Sequence, residues 1–358
     1  MSSTLFLILQ TILKMIQIKK EGILLKKTEL PFENDSVLNP AVMQEQNTVH
    51  MLYRAVRKGN YSTIGYCKFD GPLQLIQRNS TPLLIPFSDA ESKGIEDARI
   101  VKIEGIYYIT YTAYNGINAL GSLITSTDLI TFERHGIIVP KFTFDEFKRL
   151  AECNNLVNPK YFRHVRHFKH TEEIFLWDKD VIFFPRRING KLAFLHRIRP
   201  GIQLVLIDNL EDLSVAFWNQ YFLHFNEHII LDPVGINHES GFIGGGCPPI
   251  ETKLGWLLIY HGVFDTSEGY IYSASAALLA IDNPAKVIAR LVNPLFAPEL
   301  DYEKNGVVAN VVFPTGTALF EDTLYIYYGA ADKCIACASL SLQDLLQELL
   351  LNPTPNEN

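Results

Sequence analysis

Two acids and an arginine stand together in Gly94-Ile95-Glu96-Asp97-Ala98-Arg99, immediately before an alternating, aromatic-rich run that reads as a β-strand. A carboxyl group at such a strand end, partly withdrawn from water, keeps a raised pKa and can protonate a leaving oxygen. Asp97 is therefore the candidate acid, with Glu96 and Arg99 beside it. A surface acid paired with a neighbouring arginine would read the same way, so the motif needs a framework that aims it.

That framework is a repeat. A turn followed by an aromatic-rich alternating strand recurs at Thr48 to Val56, Ile106 to Tyr114, Lys191 to Arg197, Trp256 to Val263 and Leu324 to Asp332. Each copy is followed by a second strand of similar character: Ser62 to Phe69, Gly121 to Ser126, Ile202 to Ile207, Tyr272 to Ala280 and Cys334 to Leu340. Five strand pairs with little helical periodicity between them point to an all-β, five-bladed β-propeller, a radial array of antiparallel sheets around a channel. A β-sandwich lacks the shared centre that a five-fold repeat implies. In a propeller the polar residues ending the repeated strands, Arg54, His196, His261 and Asp332, are expected to converge on the channel.

The expected organisation is an extension over residues 1–20, a propeller over 21–346 and a C-terminal tail over 347–358. A partly helical insertion at about 143–176 carries Lys148, Arg149, Lys160, Arg163, His164, Arg166, His167, Lys169 and His170. Such a charge run is usually a solvated face; the sharper expectation is a surface that overhangs the channel mouth or meets a second subunit. Leu342 to Leu351 reads as an apolar-faced helix, followed by a loose Pro/Asn tail.

Composition narrows the function classes. With 358 residues, 47% of them hydrophobic, the chain can bury a large core. A net charge of −7 offers no electrostatic footprint for nucleic acid. The 16 Tyr and 22 Phe suit strands and also suit stacking on the apolar faces of sugars. Five irregularly spaced cysteines suggest reduced thiols, and Cys334 and Cys337 read as small strand residues, since no second pair completes a zinc site. No metal or cofactor is expected. The apolar run Leu5 to Leu9 with Ile12-Leu13 is too short to span a bilayer and lacks the basic start of a signal peptide. A cytoplasmic protein with Met15 as a second candidate start is expected, a degenerate export signal and a periplasmic location being the alternative.

An ordered series of motifs makes the reading specific. Asn39-Pro40-Ala41, Leu52-Tyr53-Arg54-Ala55, Gly94 to Arg99, Tyr108 to Tyr114, Lys179-Asp180, Ile188 to Lys191, Leu195-His196-Arg197, Gly244 to Ile250, Trp256 to Val263, Asn310 to Pro314 and Tyr328 to Asp332 resemble glycoside hydrolase family 130. That family comprises β-mannoside phosphorylases and related inverting β-mannosidases, and its fold is a five-bladed propeller. The resemblance implies that Asp97 is the proton donor, acting in the phosphorylases through a hydroxyl of the bound sugar. It places Asn39, Arg54, Glu96, Arg99, Asp180, His196 and Asp332 around a manno-oligosaccharide. The chain departs from the family at Ala98, where proline is usual, and at Gly245 and Cys247, where the usual segment is G-A-G-P-P-P.

Phosphate or water as nucleophile separates the two branches. A phosphorylase needs converging cationic donors for its co-substrate phosphate, for which Lys179, His261 and Tyr272 are candidates. A hydrolase needs a carboxylate base opposite the acid. Asp178 stands where it would repel phosphate, and Glu227, Glu239 and Glu268 lie in the right half of the chain. The expectation is therefore hydrolysis, with Glu227 and Glu268 as the base pair. Phosphorolysis is the alternative, and a noncatalytic sugar-binding propeller is the third reading.

Overall fold

The computed structural model describes residues 16–154, 156–163, 173–235 and 237–354. All five expected strand pairs are antiparallel hairpins: Thr48–Arg57 with Tyr61–Asp70, Ile106–Tyr114 with Ala119–Ser126, Leu192–Arg197 with Ile202–Ile207, Gly255–Thr266 with Gly269–Leu279, and Thr323–Ala330 with Cys334–Ser341. Successive side chains face opposite sides of each strand, and in Ala119–Ser126 and Leu192–Arg197 every residue is buried, so both faces pack against neighbouring structure.

Each hairpin is preceded by a further strand, Ser36–Glu45, Gly94–Ile103, Lys179–Phe183, Phe242–Gly245 and Val312–Phe320, paired antiparallel with the hairpin's first strand, and the fourth hairpin has a second such strand, Ile250–Thr252. Outer strands complete four of the units: Gln74–Arg78, Glu133–Ile137, Ile229–Leu231 and Val287–Arg290. The fifth is completed by the N-terminal strand Lys19–Leu25, which pairs with Cys334–Ser341. Lys19 and Lys20, expected in the extension, thus belong to this sheet. The first two units are joined by a single parallel bridge, Ser62 to Gly94. The preceding strands of the first four units pack on one another in sequence, and Val312–Phe320 of the last packs on the hairpin Gly255–Thr266 and Gly269–Leu279 and on Ser36–Glu45 of the first, so the contacts run in a ring.

Expected and observed helices agree in part. The insertion does carry a helix, Phe144–Ala151, started by Thr143, whose hydroxyl accepts from the Glu146 amide while Glu146 returns a bond to the Thr143 amide. His164, Arg166, His167, Lys169 and His170 lie outside the described residues. Unforeseen is a second helical excursion in the same unit, Val215–Leu223 followed by Phe225–His228. Phe147 of the insertion meets Phe222 and Phe225 edge-on at 5.1 and 5.0 Å, so the two excursions share one aromatic core. At the C-terminus, Leu342–Leu351 is the expected helix and buries Leu345 and Leu349. The chain beyond is tied down as far as Thr354, whose amide donates to the Ile288 carbonyl. Among the described residues, no helix is long and apolar enough to cross a membrane.

Candidate active site

Three of the preceding strands carry the same local device. Asn39, Asp97 and Asp180 have left-handed backbones, with φ of 48°, 53° and 56°, and each sits at a register shift, Leu38/Ala41, Glu96/Arg99 and Lys179/Ile182. An extra residue in one strand leaves the ladder and re-aims its side chain, and Asn and Asp tolerate this conformation best among non-glycine residues. The three polar side chains line one cavity of about 190 Å³, with Arg54, Lys179, Arg197, Arg199, Tyr272, Val308, Val311, Phe313 and Asp332.

Asp97 is its centre. Asn39 Nδ2 donates to Asp97 Oδ1 at 2.8 Å, Arg54 Nη1 lies 3.4 Å from the same oxygen, and Lys179 Nζ is 3.9 Å from Oδ2. Burial pushes the carboxyl up, but Arg54, Lys179, the Asn39 bond and Arg99 outweigh it and hold Asp97 at about 2. In these surroundings it is a carboxylate. Asp332 moves the other way. Burial, with Asp97 and Glu96 nearby, raises it to about 6 against the pull of Arg54 and Lys179. Two acids in one cavity are thereby driven apart, Asp97 towards its charged form and Asp332 towards its protonated one.

The remaining expected site residues separate into those facing the cavity and those behind it. Arg54 and Asp180 line it; Arg54 Nη2 bonds Glu96 Oε1 at 2.7 Å, so Glu96 orients Arg54. Arg99 is corrected to a framework role. It is buried, donating to the Gly246 carbonyl at 2.5 Å and to the Asp97 and Ala98 carbonyls at 2.8 and 3.0 Å, which clamps the strained turn that presents Asp97. Lys179 and Tyr272 line the cavity. His261 is fully buried, and burial together with Arg197 and other arginines depresses it to about 3 despite Asp180. Its neutral Nε2 accepts from Arg197 Nη1 at 3.3 Å, so it orients an arginine from behind the wall.

His196 is likewise corrected. It points into the sheet packing, where Nδ1 lies 2.7 Å from Asp178 and Nε2 2.7 Å from the Tyr221 hydroxyl. The neighbouring Arg197 faces the cavity and pairs with Asp180 at 3.1 Å. Adjacent strand residues face opposite ways, so choosing the histidine of Leu195-His196-Arg197 placed the function on the wrong face. Asp178, engaged by His196 and fully buried, does not present its charge to the cavity.

The two glutamates expected as a base pair are not brought to Asp97. Glu227 lies on Phe225–His228 and lines a different groove with Leu204, Phe217, Tyr221, His224 and His228. Glu268 occupies the turn of the hairpin Gly255–Thr266 and Gly269–Leu279, where its amide donates to the Thr266 hydroxyl. Neither lines the cavity. Glu239 is buried against Arg290 at 2.5 Å and the Tyr260 hydroxyl at 2.7 Å. Glu227 sits on a helix outside the repeated hairpins and Glu268 in an exposed hairpin turn, so the repeat did not aim either at the cavity. Arg197 and Arg199 were the residues missed; strand parity would have found the first.

Gly244 shows how tightly the layer is built. A Cβ there would lie 2.5 Å from His261 Cε1 and 2.7 Å from Asp180 Oδ2. Gly244→Ala is expected to displace both and lower turnover ~100-fold, as sub-ångström to 1 Å misplacements do. Near-normal kcat/KM in a folded variant would show that this layer does not position the site.

A ring of antiparallel β-units thus presents a buried acid among cations in one cavity. Residues 12–350 match the glycoside hydrolase family 130 model, described as beta-1,4-mannooligosaccharide phosphorylase. The chain is 34% identical over 343 residues to a 1,2-beta-oligomannan phosphorylase of Thermoanaerobacter sp. (strain X514), covering 93% of this chain and 99% of that one. A beta-1,2-mannobiose phosphorylase of the same organism is 32% identical, over 91% and 96% of the two chains. Among solved structures, a beta-1,2-mannobiose phosphorylase from Listeria innocua in complex with beta-1,2-mannobiose shares the fold with a TM-score of 0.71, at 24% identity over 94% and 100% of the chains. The protein belongs to glycoside hydrolase family 130.

Proposed function

We propose that this protein is an inverting β-mannoside phosphorylase on a five-bladed propeller, cleaving a terminal β-mannosyl linkage with inorganic phosphate to release mannose 1-phosphate. This reverses the expectation of hydrolysis. The observation that carries it is the composition of the cavity: Lys179, Arg197 and Arg199 face Asp97, while the glutamates offered as a base for water lie elsewhere. Three converging cations suit an anionic nucleophile. The full-length relatives named as phosphorylases support the same branch.

In the proposed reaction a phosphate oxygen bonds to the anomeric carbon as the bond to the leaving oxygen breaks, and that oxygen takes a proton originating at Asp97. Phosphate seated near Lys179 offsets one of the charges that keep Asp97 ionised, and a sugar filling the cavity excludes water. Both changes raise the Asp97 pKa towards the range where it holds a proton. Arg197, oriented by His261 and Asp180, and the Tyr272 hydroxyl complete the anion's contacts. Asn39, Arg54 and Asp332 address hydroxyls of the mannosyl unit.

Product analysis on β-1,2- and β-1,4-mannobiose with and without phosphate tests the reading. Mannose 1-phosphate formed only when phosphate is present is the expected result. Free mannose released at the same rate without phosphate would restore the hydrolytic reading.

A further inference from the structure

The hairpin Gly255–Thr266 and Gly269–Leu279 has two faces, and strand parity gives them to different cavities. Tyr272 lines the cavity around Asp97 and His261 stands behind its wall. On the other face Gly262 opposes Ser273 and Phe264 opposes Ile271, and there Phe264, Ile271 and Ser273 line a separate cavity of about 490 Å³. The two cavities share no lining residue. His238, Val292 and Pro294 lie around the second one, whose volume falls within the ~300–1,000 Å³ of small-molecule sites.

Two of its polar side chains are buried without a hydrogen-bond partner among the described residues. They are Ser273, 2% exposed, through its Oγ, and His238, 8% exposed, through its Nε2. Glu239 Oε1 lies 3.4 Å from that ring nitrogen but already accepts from the Tyr260 hydroxyl at 2.7 Å. A buried polar atom left unpaired costs stability, so two of them at one cavity call for a ligand that supplies the missing bonds.

The frame around them is fixed. Arg290 holds Glu239 at 2.5 Å, the Gly241 amide donates to the Val263 carbonyl at 2.9 Å, and the Asp265 amide donates to the Ser240 hydroxyl at 3.2 Å. A Cβ at Gly262 would lie 2.6 Å from the His238 carbonyl oxygen and 3.1 Å from its ring Cδ2, so glycine is what lets His238 approach the hairpin. On the opposite side the Leu295 amide donates to the Ala274 carbonyl at 2.7 Å. Groups held in this way lose little freedom when a ligand binds.

None of the described residues lining this cavity is Lys, Arg, Asp or Glu, so phosphate and other strong ions find no counter-charge. Apolar walls with two hydroxyl-matching atoms suit a molecule with C–H faces and hydroxyl edges. We infer that this cavity is a second ligand site, apart from the one that holds Asp97. It takes one uncharged, hydroxyl-bearing ring, a free hexose, with hydroxyls on His238 and Ser273 and C–H faces on Phe264, Ile271 and Pro294.

Side-chain NMR of His238, assigned by its loss in His238→Gln, reads the site while D-mannose is titrated into the full chain. A saturable shift of the His238 ring signals is expected. Ala297→Trp, which fills the cavity, abolishes it, and Ser273→Ala weakens the affinity about tenfold, the worth of one hydrogen bond. Ser273→Ala also removes an unpaired buried hydroxyl, so its melting temperature is expected to equal or exceed that of wild type.

An unmoved His238 signal, or a shift that persists in Ala297→Trp and so arises at the Asp97 cavity, would overturn the inference. Equal affinity for cyclohexanol would reduce the cavity to an apolar hole without sugar recognition. A lower melting temperature of Ser273→Ala with mannose binding unchanged would make the hydroxyl structural. A changed oligomeric state of Ala297→Trp would assign the cavity to a second copy of the chain and remove the hexose. None of these outcomes bears on the phosphorylase reading, which phosphate-dependent product formation decides.

Discussion

Asp97→Asn lowers kcat/KM for phosphorolysis by ~10²–10⁴-fold, the range that a positioned proton donor contributes. The substitution keeps the shape of the side chain and its neighbours Asn39, Arg54 and Lys179, and the Arg99 clamp acts on the backbone carbonyls of Asp97 and Ala98, which do not change. The variant is therefore expected to fold, with a melting temperature near that of wild type and binding of the oligosaccharide retained. Loss of turnover with binding preserved is the pattern of a group acting in the transition state. A variant that still turned over at the wild-type rate would remove Asp97 from the mechanism, and with it the enzymatic reading of this cavity. The pKa of about 2 in the empty site adds a condition to the test: Asp97 becomes a donor only once ligands have changed its surroundings, so its contribution is read with both substrates present.

The second large effect is a contrast between two adjacent residues. Arg197→Lys keeps the charge but loses the planar fork that pairs with Asp180 and reaches the cavity, and it is expected to raise the KM of phosphate ~10–100-fold, the value of one or two hydrogen bonds to a charged group. Its effect on melting temperature is expected to be small. His196→Leu is expected to do the reverse. It leaves Asp178 buried without the partner now 2.7 Å away and strands the Tyr221 hydroxyl on that side, a loss of ~3–5 kcal/mol when one member of a buried pair is removed. Thermal unfolding and phosphate-dependence kinetics on both variants decide the matter. If His196→Leu were as stable as wild type and weak only in sugar affinity, the histidine would face substrate as first expected.

How far the chain was readable follows from how local each signal was. The five hairpins were legible because each is a short segment whose alternation and turn are written within about 25 residues, and because one solution repeats five times. Asn39 and Asp97 were legible through motifs on the strands that precede those hairpins. Arg197 was legible only through parity, since it faces the side of its strand opposite His196, and which of the two sides meets the cavity is decided by packing. The helix Val215–Leu223 was hidden because the aromatic residues that bury it come from Phe144–Ala151, far away in the chain.

The sequence by itself determined the strands, the repeat and the family, since these depend on period, turn chemistry and motif order. The tertiary structure alone decided which charges meet. Strained residues at three bulges aim Asn39, Asp97 and Asp180 inward, packing turns His196 and Asp178 away, and a short helix and a hairpin turn carry Glu227 and Glu268 elsewhere. The physical reason is distance along the chain. A strand's face is set by its nearest neighbours in sequence, but the convergence of a lysine, three arginines and three acids requires the ring of units to close, and no local segment encodes that closure.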